Sequence, residues 1–180
     1  LLRTTAVLAG GALLFVQAEA ALPTPCSLVT AAEMQRQTDA LFGACDVLIM
    51  TAAVSDWRPK STAPQQRKKD GQGLTVALEP VPDIVTALAE ERRTDQFLVG
   101  FAAETENVEA NALDKLERKG LDLIAANSVA GSEGAFGSDH NKLILLGRNG
   151  FREVLGPASK AVVARQLIDV IARLVAARAS

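Results

Sequence analysis

The stretch Asp46-Val47-Leu48-Ile49-Met50-Thr51 decides the fold class of this chain. Four consecutive large apolar side chains leave no polar face, which is typical of a strand buried on both sides within a parallel sheet. Residues 96–101 and 121–126 have the same apolar character. Helical patterns separate these runs, and such alternation predicts an α/β, Rossmann-like, mostly parallel doubly wound sheet with helices on both faces.

Local signals predict where the remaining elements begin and end. Thr30-Ala31-Ala32-Glu33 is a capping box that opens a helix to about Phe42, and Pro82-Asp83 opens a helix to about Arg92. Gly120 ends a helix that begins near Glu106, and Ser159 caps the last helix. We also predict a helix end over residues 1–9, strands over residues 12–16 and 74–78, and a C-terminal hairpin of residues 142–146 and 151–154.

Length and composition favour a single cytoplasmic domain over residues 1–180. The formal net charge is −2 and the basic residues are scattered, so no nucleic-acid surface is indicated. Cys26 and Cys45 have neither metal-ligand spacing nor the number needed for a disulfide framework. Residues 1–20 resemble a signal peptide, but Gly10-Gly11 splits the apolar run, so we prefer a cytosolic helix, turn and strand, with no membrane segment.

Candidate binding residues follow the predicted strands, because ligands of α/β sheets bind at the carboxyl ends of the strands. Asp56 follows the first apolar run and could bind a ribose hydroxyl, a base edge or a metal ion, or could simply turn the chain. Phe101 could stack on a base. Asn127, at the end of a third run, could contact a ligand edge or tie down a loop.

Lys115 and Lys119 lie four residues apart on a predicted helix, so both ammonium groups share one face. Two aligned lysines suit a polyphosphate, although a solvated helix face has the same pattern. The chain contains no Gly-rich dinucleotide fingerprint, Walker loop, zinc motif or Ser-His-Asp set. The residues by themselves therefore predict an α/β domain with a nucleotide or phosphate ligand.

The ordered set of motifs resembles the phosphopantothenoylcysteine synthetase (phosphopantothenate–cysteine ligase) family across the whole chain. The motifs are Leu22-Pro23-Thr24-Pro25, Thr30-Ala31-Ala32-Glu33-Met34, Ala52-Ala53-Val54-Ser55-Asp56-Trp57-Arg58, Pro82-Asp83-Ile84, Gly100-Phe101-Ala102-Ala103-Glu104-Thr105, Lys115-Leu116-Glu117-Arg118-Lys119-Gly120, Asp122-Leu123-Ile124-Ala125-Ala126-Asn127 and Phe136-Gly137-Ser138-Asp139. Each motif is weak alone, but their order and spacing together are specific.

The resemblance implies a dimeric ligase of coenzyme A biosynthesis. Such enzymes activate the carboxylate of 4′-phosphopantothenate with CTP or ATP and Mg²⁺, and cysteine then displaces the nucleotide to form an amide. The Mg²⁺ ion would be held mainly by nucleotide phosphates. Bacterial members are commonly fused to a flavin-dependent decarboxylase, and the arm of residues 61–78 would form the homodimer interface. The resemblance assigns nucleotide contacts to Ala52, Asp56, Pro82, Asp83, Ile84, Val85, Phe101, Lys115 and Lys119.

The chain departs from the family pattern at two points. The catalytic flap of the family carries a lysine, an apolar residue and two more lysines, whereas this chain reads Gln66-Arg67-Lys68-Lys69. Gln66 stands at the expected lysine, and Lys68 is the better geometric substitute because neighbouring side chains of an extended segment point in opposite directions. The family also opens with a strand and loop that we expect to be missing here. The alternatives are a non-catalytic nucleotide-binding homologue or truncated remnant, such as a partner subunit, and a secreted binding domain.

Overall fold

A computed structural model describes residues 4–9, 12–17, 26–27, 30–61, 65, 73–128 and 140–178. The strands are β1 Thr4–Ala9, β2 Ala12–Gln17, β3 Cys26–Ser27, β4 Val47–Met50, β5 Trp57–Pro59, β6 Leu78–Pro80, β7 Phe97–Glu104, β8 Leu123–Ser128, β9 His140–Gly147 and β10 Arg152–Ser159. The helices are α1 Ala31–Phe42, α2 Ile84–Glu91, α3 Val108–Arg118 and α4 Lys160–Arg178. None of the described helices is both long and apolar enough to cross a bilayer.

Eight strands form one sheet in the order β10-β9-β8-β7-β4-β1-β2-β3, and β5 pairs with β6 separately. The four central strands, β8, β7, β4 and β1, are parallel to one another, whereas the strands at both edges are antiparallel. Met50 pairs with Gly100, and Gly100 with Ile124, so the carboxyl ends of β4, β7 and β8 lie along one edge. The predicted α/β class is confirmed.

Alternating side chains of the central strands bury into two separate cores. Leu48, Leu98 and Ile124 pack in one core with α1, α2 and α3, while Val47 and Val99 pack in the other core, with α4. This period of two is expected for strands covered on both faces. The prediction of helices on both faces is therefore confirmed.

The predicted helix ends have the expected hydrogen bonds. Thr30 Oγ1 accepts from the Glu33 amide at 3.2 Å, and a Glu33 carboxylate oxygen accepts from the Thr30 amide at 3.0 Å. Gly120 has a φ of 63°, and the Leu121 amide donates to the Leu116 carbonyl at 3.0 Å, which completes a glycine-terminated helix end. This ending fixes Lys119 as the last residue before the turn.

Two predicted elements were wrong in type or extent. Residues 1–9 were expected to end a helix, but Thr4–Ala9 is a strand antiparallel to β2. Ala9 pairs with Ala12, and the sequence between them is Gly-Gly. Two such residues between apolar runs are a hairpin signal as well as a helix-ending one. The strand expected over residues 74–78 begins only at Leu78, where pairing with β5 starts.

The carboxylate of Asp122 connects four elements at the amino-terminal edge of the sheet. Its Oδ2 accepts from the Leu98 amide at 2.9 Å and from Arg92 Nη1 at 2.5 Å. Its Oδ1 lies 3.2 Å from Arg178 Nη1 of α4 and 3.8 Å from Arg148 Nε of the β9–β10 turn. The Asp122 side chain is only 6% exposed, so these partners stabilise its negative charge in place of water.

Asp122→Ala should lower the free energy of unfolding by about 3 kcal/mol, because the change removes the counterion of the largely buried Arg92. Asp114→Ala is the matched control, since Asp114 pairs with Arg118 on the exposed face of α3 and such pairs contribute less than about 0.5 kcal/mol. Urea denaturation of both variants measures the difference. Equal losses would show that Asp122 has no special structural role.

Candidate functional site

A cleft of about 240 Å³ opens at the carboxyl edge of β4 and β7. It brings together every residue assigned to nucleotide contacts: Ala52, Asp56, Pro82, Asp83, Ile84, Val85, Phe101, Lys115 and Lys119. Met50, Ala53, Val54, Ser55 and Val81 complete the lining. Residues as far apart in the sequence as Met50 and Lys119 thus meet at the edge where parallel sheets bind ligands.

The loop after β4 and the turn before α2 form the two walls of the cleft. They are joined where the Val81 amide donates to the Asp56 carbonyl at 2.8 Å. Asp56 precedes β5 and Val81 follows β6, so the strand pair β5–β6 starts and ends at the rim of the cleft. The Lys60 amide extends the β5–β6 pairing by donating to the Ala77 carbonyl at 3.0 Å. The described ends of this part of the chain, β5 and β6, therefore lie at the cleft.

Phe101 lies within β7, one residue past the level at which β4 ends, and is half-buried against the core on the α4 side of the sheet. Its neighbour Gly100 faces the opposite core, where a Cβ atom would come within 2.6 Å of Leu121 Cδ1. Glycine at this position therefore lets β7 pack closely under the end of α3. Phe101 lines a cleft whose cationic groups come from Lys115 and Lys119.

Both lysines of α3 are ion-paired with carboxylates at the cleft. Lys119 Nζ lies 2.8 Å from Asp83 Oδ2, and Lys115 Nζ bonds to Glu104 Oε1. Asp83 also caps α2, because its Oδ1 accepts from the amides of Val85 and Thr86 at 3.1 and 3.2 Å. One carboxylate thus fixes both the start of α2 and the position of Lys119.

The pKa values of both carboxyl groups lie below their usual ranges. For Asp83, burial opposes ionisation, but hydrogen bonds from Lys119 and Thr86 outweigh it and lower the pKa. For Glu104, the hydrogen bond from Lys115 is the largest cause, and the Asn111 amide adds to it. Each pair therefore stabilises the fold above the ordinary carboxyl pKa, and that stability is lost as pH falls through the lowered values.

Asn127, Gln66 and Lys68 are the remaining predicted site residues. Asn127 pairs with Ala103 near the end of β8 and is absent from the cleft lining. Gln66 and Lys68 lie outside the described residues, so their catalytic assignment stays a prediction. Among the described residues, no group of three or more His, Cys, Asp or Glu side chains is arranged to hold a metal ion.

A larger groove of about 700 Å³ lies between α3 and the turn that joins β9 to β10. Glu109 and Arg152 form a bidentate ion pair at this groove, with N–O distances of 2.8 and 2.9 Å. It contains none of the predicted binding residues. The smaller cleft is the candidate site because it is lined by the aromatic residue Phe101, by two lysines and by the loop that follows β4.

Glu104 and Val81 were missed as site residues from the sequence. Glu104 belongs to a quoted motif, but its contact with Lys115 depends on how α3 packs against the end of β7. Val81 contributes its backbone amide, and because nearly every residue type has one, the sequence does not identify such a contact.

Asp83→Ala should lower the free energy of unfolding by about 1 kcal/mol through loss of the α2 cap, and Thr30→Ala should give a similar loss at α1. Asp83→Asn should stay within a few tenths of a kcal/mol of wild type, since asparagine caps as well as aspartate and the lost ion pair is partly exposed. Urea denaturation measures all three. Equal losses in both Asp83 variants would mean that the ion pair, not the cap, carries the effect.

Comparison with known families supports the motif-based resemblance. Residues 2–175 match the model of the "DNA/pantothenate metabolism flavoprotein C-terminal domain". The "Coenzyme A biosynthesis bifunctional protein CoaBC" of Bacillus subtilis is 35% identical over 179 residues, covering 96% of this chain and 44% of that protein. The protein of the same name from Escherichia coli strain K12 is 37% identical over 170 residues, covering 90% and 42%. The chain thus spans less than half the length of these curated relatives.

A solved structure has the same fold. The crystal structure of the C-terminal domain of a "Coenzyme A biosynthesis bifunctional protein CoaBC" matches with a TM-score of 0.65 and 30% identity, covering 87% of this chain and 69% of that chain. The resemblance inferred from the ordered motifs is therefore confirmed at the level of the family.

Proposed function

We propose that this chain, which belongs to the DNA/pantothenate metabolism flavoprotein C-terminal domain family, is a ligase of coenzyme A biosynthesis. It would join 4′-phosphopantothenate to cysteine through an acyl-nucleotide intermediate made from CTP or ATP. The observation that carries the proposal is the convergence of Asp56, Phe101, Lys115 and Lys119 on one cleft at the carboxyl edge of the sheet. The coenzyme A biosynthesis relatives support the same pathway.

The proposed reaction has two steps. A carboxylate oxygen of 4′-phosphopantothenate attacks the α-phosphorus of the nucleotide, and the bond to the β-phosphate oxygen breaks to release pyrophosphate. The cysteine amine then attacks the acyl carbon, loses a proton and expels the nucleoside monophosphate, which leaves an amide. Negative charge on the phosphates grows as pyrophosphate departs, so fixed cations beside them lower the barrier.

The residues of the cleft suit the parts of a nucleoside triphosphate. Phe101 offers an aromatic face for the base, and the exposed carboxylate of Asp56 offers an acceptor for nucleoside hydroxyls or amines. Lys115 and Lys119 offer two ammonium groups on one side of α3 for the phosphates. Small side chains at Ala52 and Ala53 allow a ligand close to the backbone between these groups.

A magnesium ion fits this donor set if the phosphates themselves are its main ligands, as is usual for Mg²⁺ in nucleotide sites. Asp83 and Glu104, the carboxylates beside the lysines, are already paired with ammonium groups. When bound, the ion would neutralise charge on the transferring phosphates. Lys115 and Lys119 would supply the remaining positive charge.

We propose that the sequence between β5 and β6 carries the catalytic flap of the family, whose role would be to cover the acyl nucleotide and exclude water. The strands on either side of that sequence, β5 and β6, lie at the cleft rim. Lys68 is the proposed cation of this segment, with Gln66 at the position of the family lysine. A non-catalytic nucleotide-binding homologue remains the second candidate function, favoured specifically by the uncharged Gln66.

Pyrophosphate release by the purified chain tests the ligase. Release with CTP or ATP should require 4′-phosphopantothenate, and repeated turnover should also require cysteine. Lys119→Met should reduce kcat/KM for the nucleotide at least about 100-fold, because it removes a phosphate contact made in a partly desolvated site. Lys142→Met, which alters a lysine on β9 outside the cleft, is the matched control.

The same assay separates the two candidate functions. Lys68→Gln should abolish most turnover, and Gln66→Lys should raise it, with nucleotide affinity little changed in either variant. Nucleotide binding without pyrophosphate release, even for Gln66→Lys, would contradict the ligase and support the non-catalytic homologue.

We further propose that the arm joins two copies of the chain as a homodimer. Four large apolar side chains on or next to β5 and β6 are more than half exposed: Trp57, Leu74, Val76 and Leu78. So much exposed apolar surface in and before a two-stranded sheet is characteristic of an interaction site. The relative from Bacillus subtilis is more than twice as long as the segment that matches this chain, which supports a companion domain. We propose that this domain is a flavin-dependent decarboxylase, either fused to the chain or in complex with it.

Leu78→Asp should convert the dimer to monomer, because it introduces a charge into the proposed apolar contact. Ile168→Asp adds the same charge at a similarly exposed apolar position on α4 and should leave the dimer intact. Sedimentation velocity measures both. A dimer that survives Leu78→Asp would refute the arm as the interface.

A further inference from the structure

The two lysines that the proposed function assigns to the triphosphate are not free to receive it. Lys119 is paired with Asp83 of the α2 cap, and Lys115 is paired with Glu104 at the end of β7. The lysine side chains are 29% and 35% exposed, so both pairs are partly shielded from water. An incoming phosphate therefore meets ammonium groups that carboxylates already neutralise.

We infer that Glu104 and Asp83 are internal counterions that hold Lys115 and Lys119 in resting positions, and that polyphosphate binds by exchanging with these carboxylates. The inference rests on the proposed function and assigns these two residues a part in setting nucleotide affinity. No covalent change is involved, because the lysines move from carboxylate oxygens to phosphate oxygens and all groups keep their charges.

Glu104 is held in place by more than its lysine. Its Oε2 accepts from Asn111 Nδ2 at 3.2 Å, and the same Asn111 amide donates to the Glu106 carbonyl at 3.0 Å. The Glu104 side chain is only 13% exposed, and the pKa of its carboxyl is lowered, so it is ionised at neutral pH. When Lys115 turns to a phosphate, Glu104 remains behind as a negative charge beside the bound anion.

Asp83 is anchored independently of Lys119 in the same way. Its Oδ1 accepts from the Val85 and Thr86 amides, while only Oδ2 contacts Lys119. Departure of the lysine therefore leaves the cap intact and the carboxylate in position. Both retained charges repel polyphosphate, which weakens binding of the triphosphate and favours release of pyrophosphate after the first step.

Binding of tripolyphosphate, measured by isothermal titration calorimetry with the full chain, tests the inference without a nucleoside or turnover. Glu104→Gln should bind about 10-fold more tightly than wild type, since removing one adjacent charge in a partly buried site is worth roughly one pKa unit of interaction. Asp83→Asn should also bind more tightly, and it keeps the α2 cap because asparagine is an equally good cap.

Glu109→Gln is the matched control, because it removes the same charge from α3 at a site that faces the other groove. Its tripolyphosphate affinity should change less than about twofold, since exposed charges at a distance are screened by salt. Far-UV circular dichroism and the thermal midpoint establish that each variant is folded.

The outcomes separate the inference from the function on which it rests. Tighter binding by Glu104→Gln and Asp83→Asn, but not by Glu109→Gln, supports the exchange. Unchanged or weaker binding by both folded variants overturns it, because the carboxylates would then position the lysines rather than compete for them. Absence of both tripolyphosphate and CTP binding in wild type and all variants would overturn the proposed nucleotide site itself.

Discussion

The carboxylate of Asp122 accepts hydrogen bonds from the Leu98 amide and from Arg92, and it lies beside Arg178 and Arg148. These contacts tie β7, the end of α2, the β9–β10 turn and the end of α4 to one point. A carboxylate so poorly exposed is stable only when such partners surround it. Together with the backbone pairing of β7 and β8, it holds these two strands in register and so aligns their opposite ends.

That alignment creates the cleft. Parallel β4 ends at Met50, which pairs with Gly100 of the longer β7, so the loop after β4 lies beside Phe101 at the cleft. The side chain of Lys119, at the glycine-terminated end of α3, reaches the cleft, where its Nζ contacts Asp83. The polar contacts of Asp122 thus lie at the amino-terminal edge of the sheet, and the side chains proposed to bind a ligand lie at the carboxyl edge. Because the two sets are separate, the lysine–carboxylate pairs at the carboxyl edge can exchange with phosphate, as we propose, without disturbing the contacts of Asp122.

The sequence correctly predicted the helices and strands whose signals lie within a few neighbouring residues. The apolar run Val47-Leu48-Ile49-Met50, the capping box at Thr30 and the glycine after α3 each specify their own element, and the structure agrees. The hairpin of β1 and β2 was mistaken because a short apolar run fits a helix or a strand until its pairing partner is known. The pairing of Glu104 with Lys115 depends on the packing of α3 against β7, which no local pattern encodes.

The most direct test of the account is a crystal structure of this chain with CTP and Mg²⁺. The account predicts the triphosphate beside Lys115 and Lys119, the nucleoside against Phe101 and Asp56, and both lysines turned from Glu104 and Asp83 toward phosphate oxygens. Nucleotide bound in the groove between α3 and the β9–β10 turn, or bound with both carboxylate pairs intact, would contradict it.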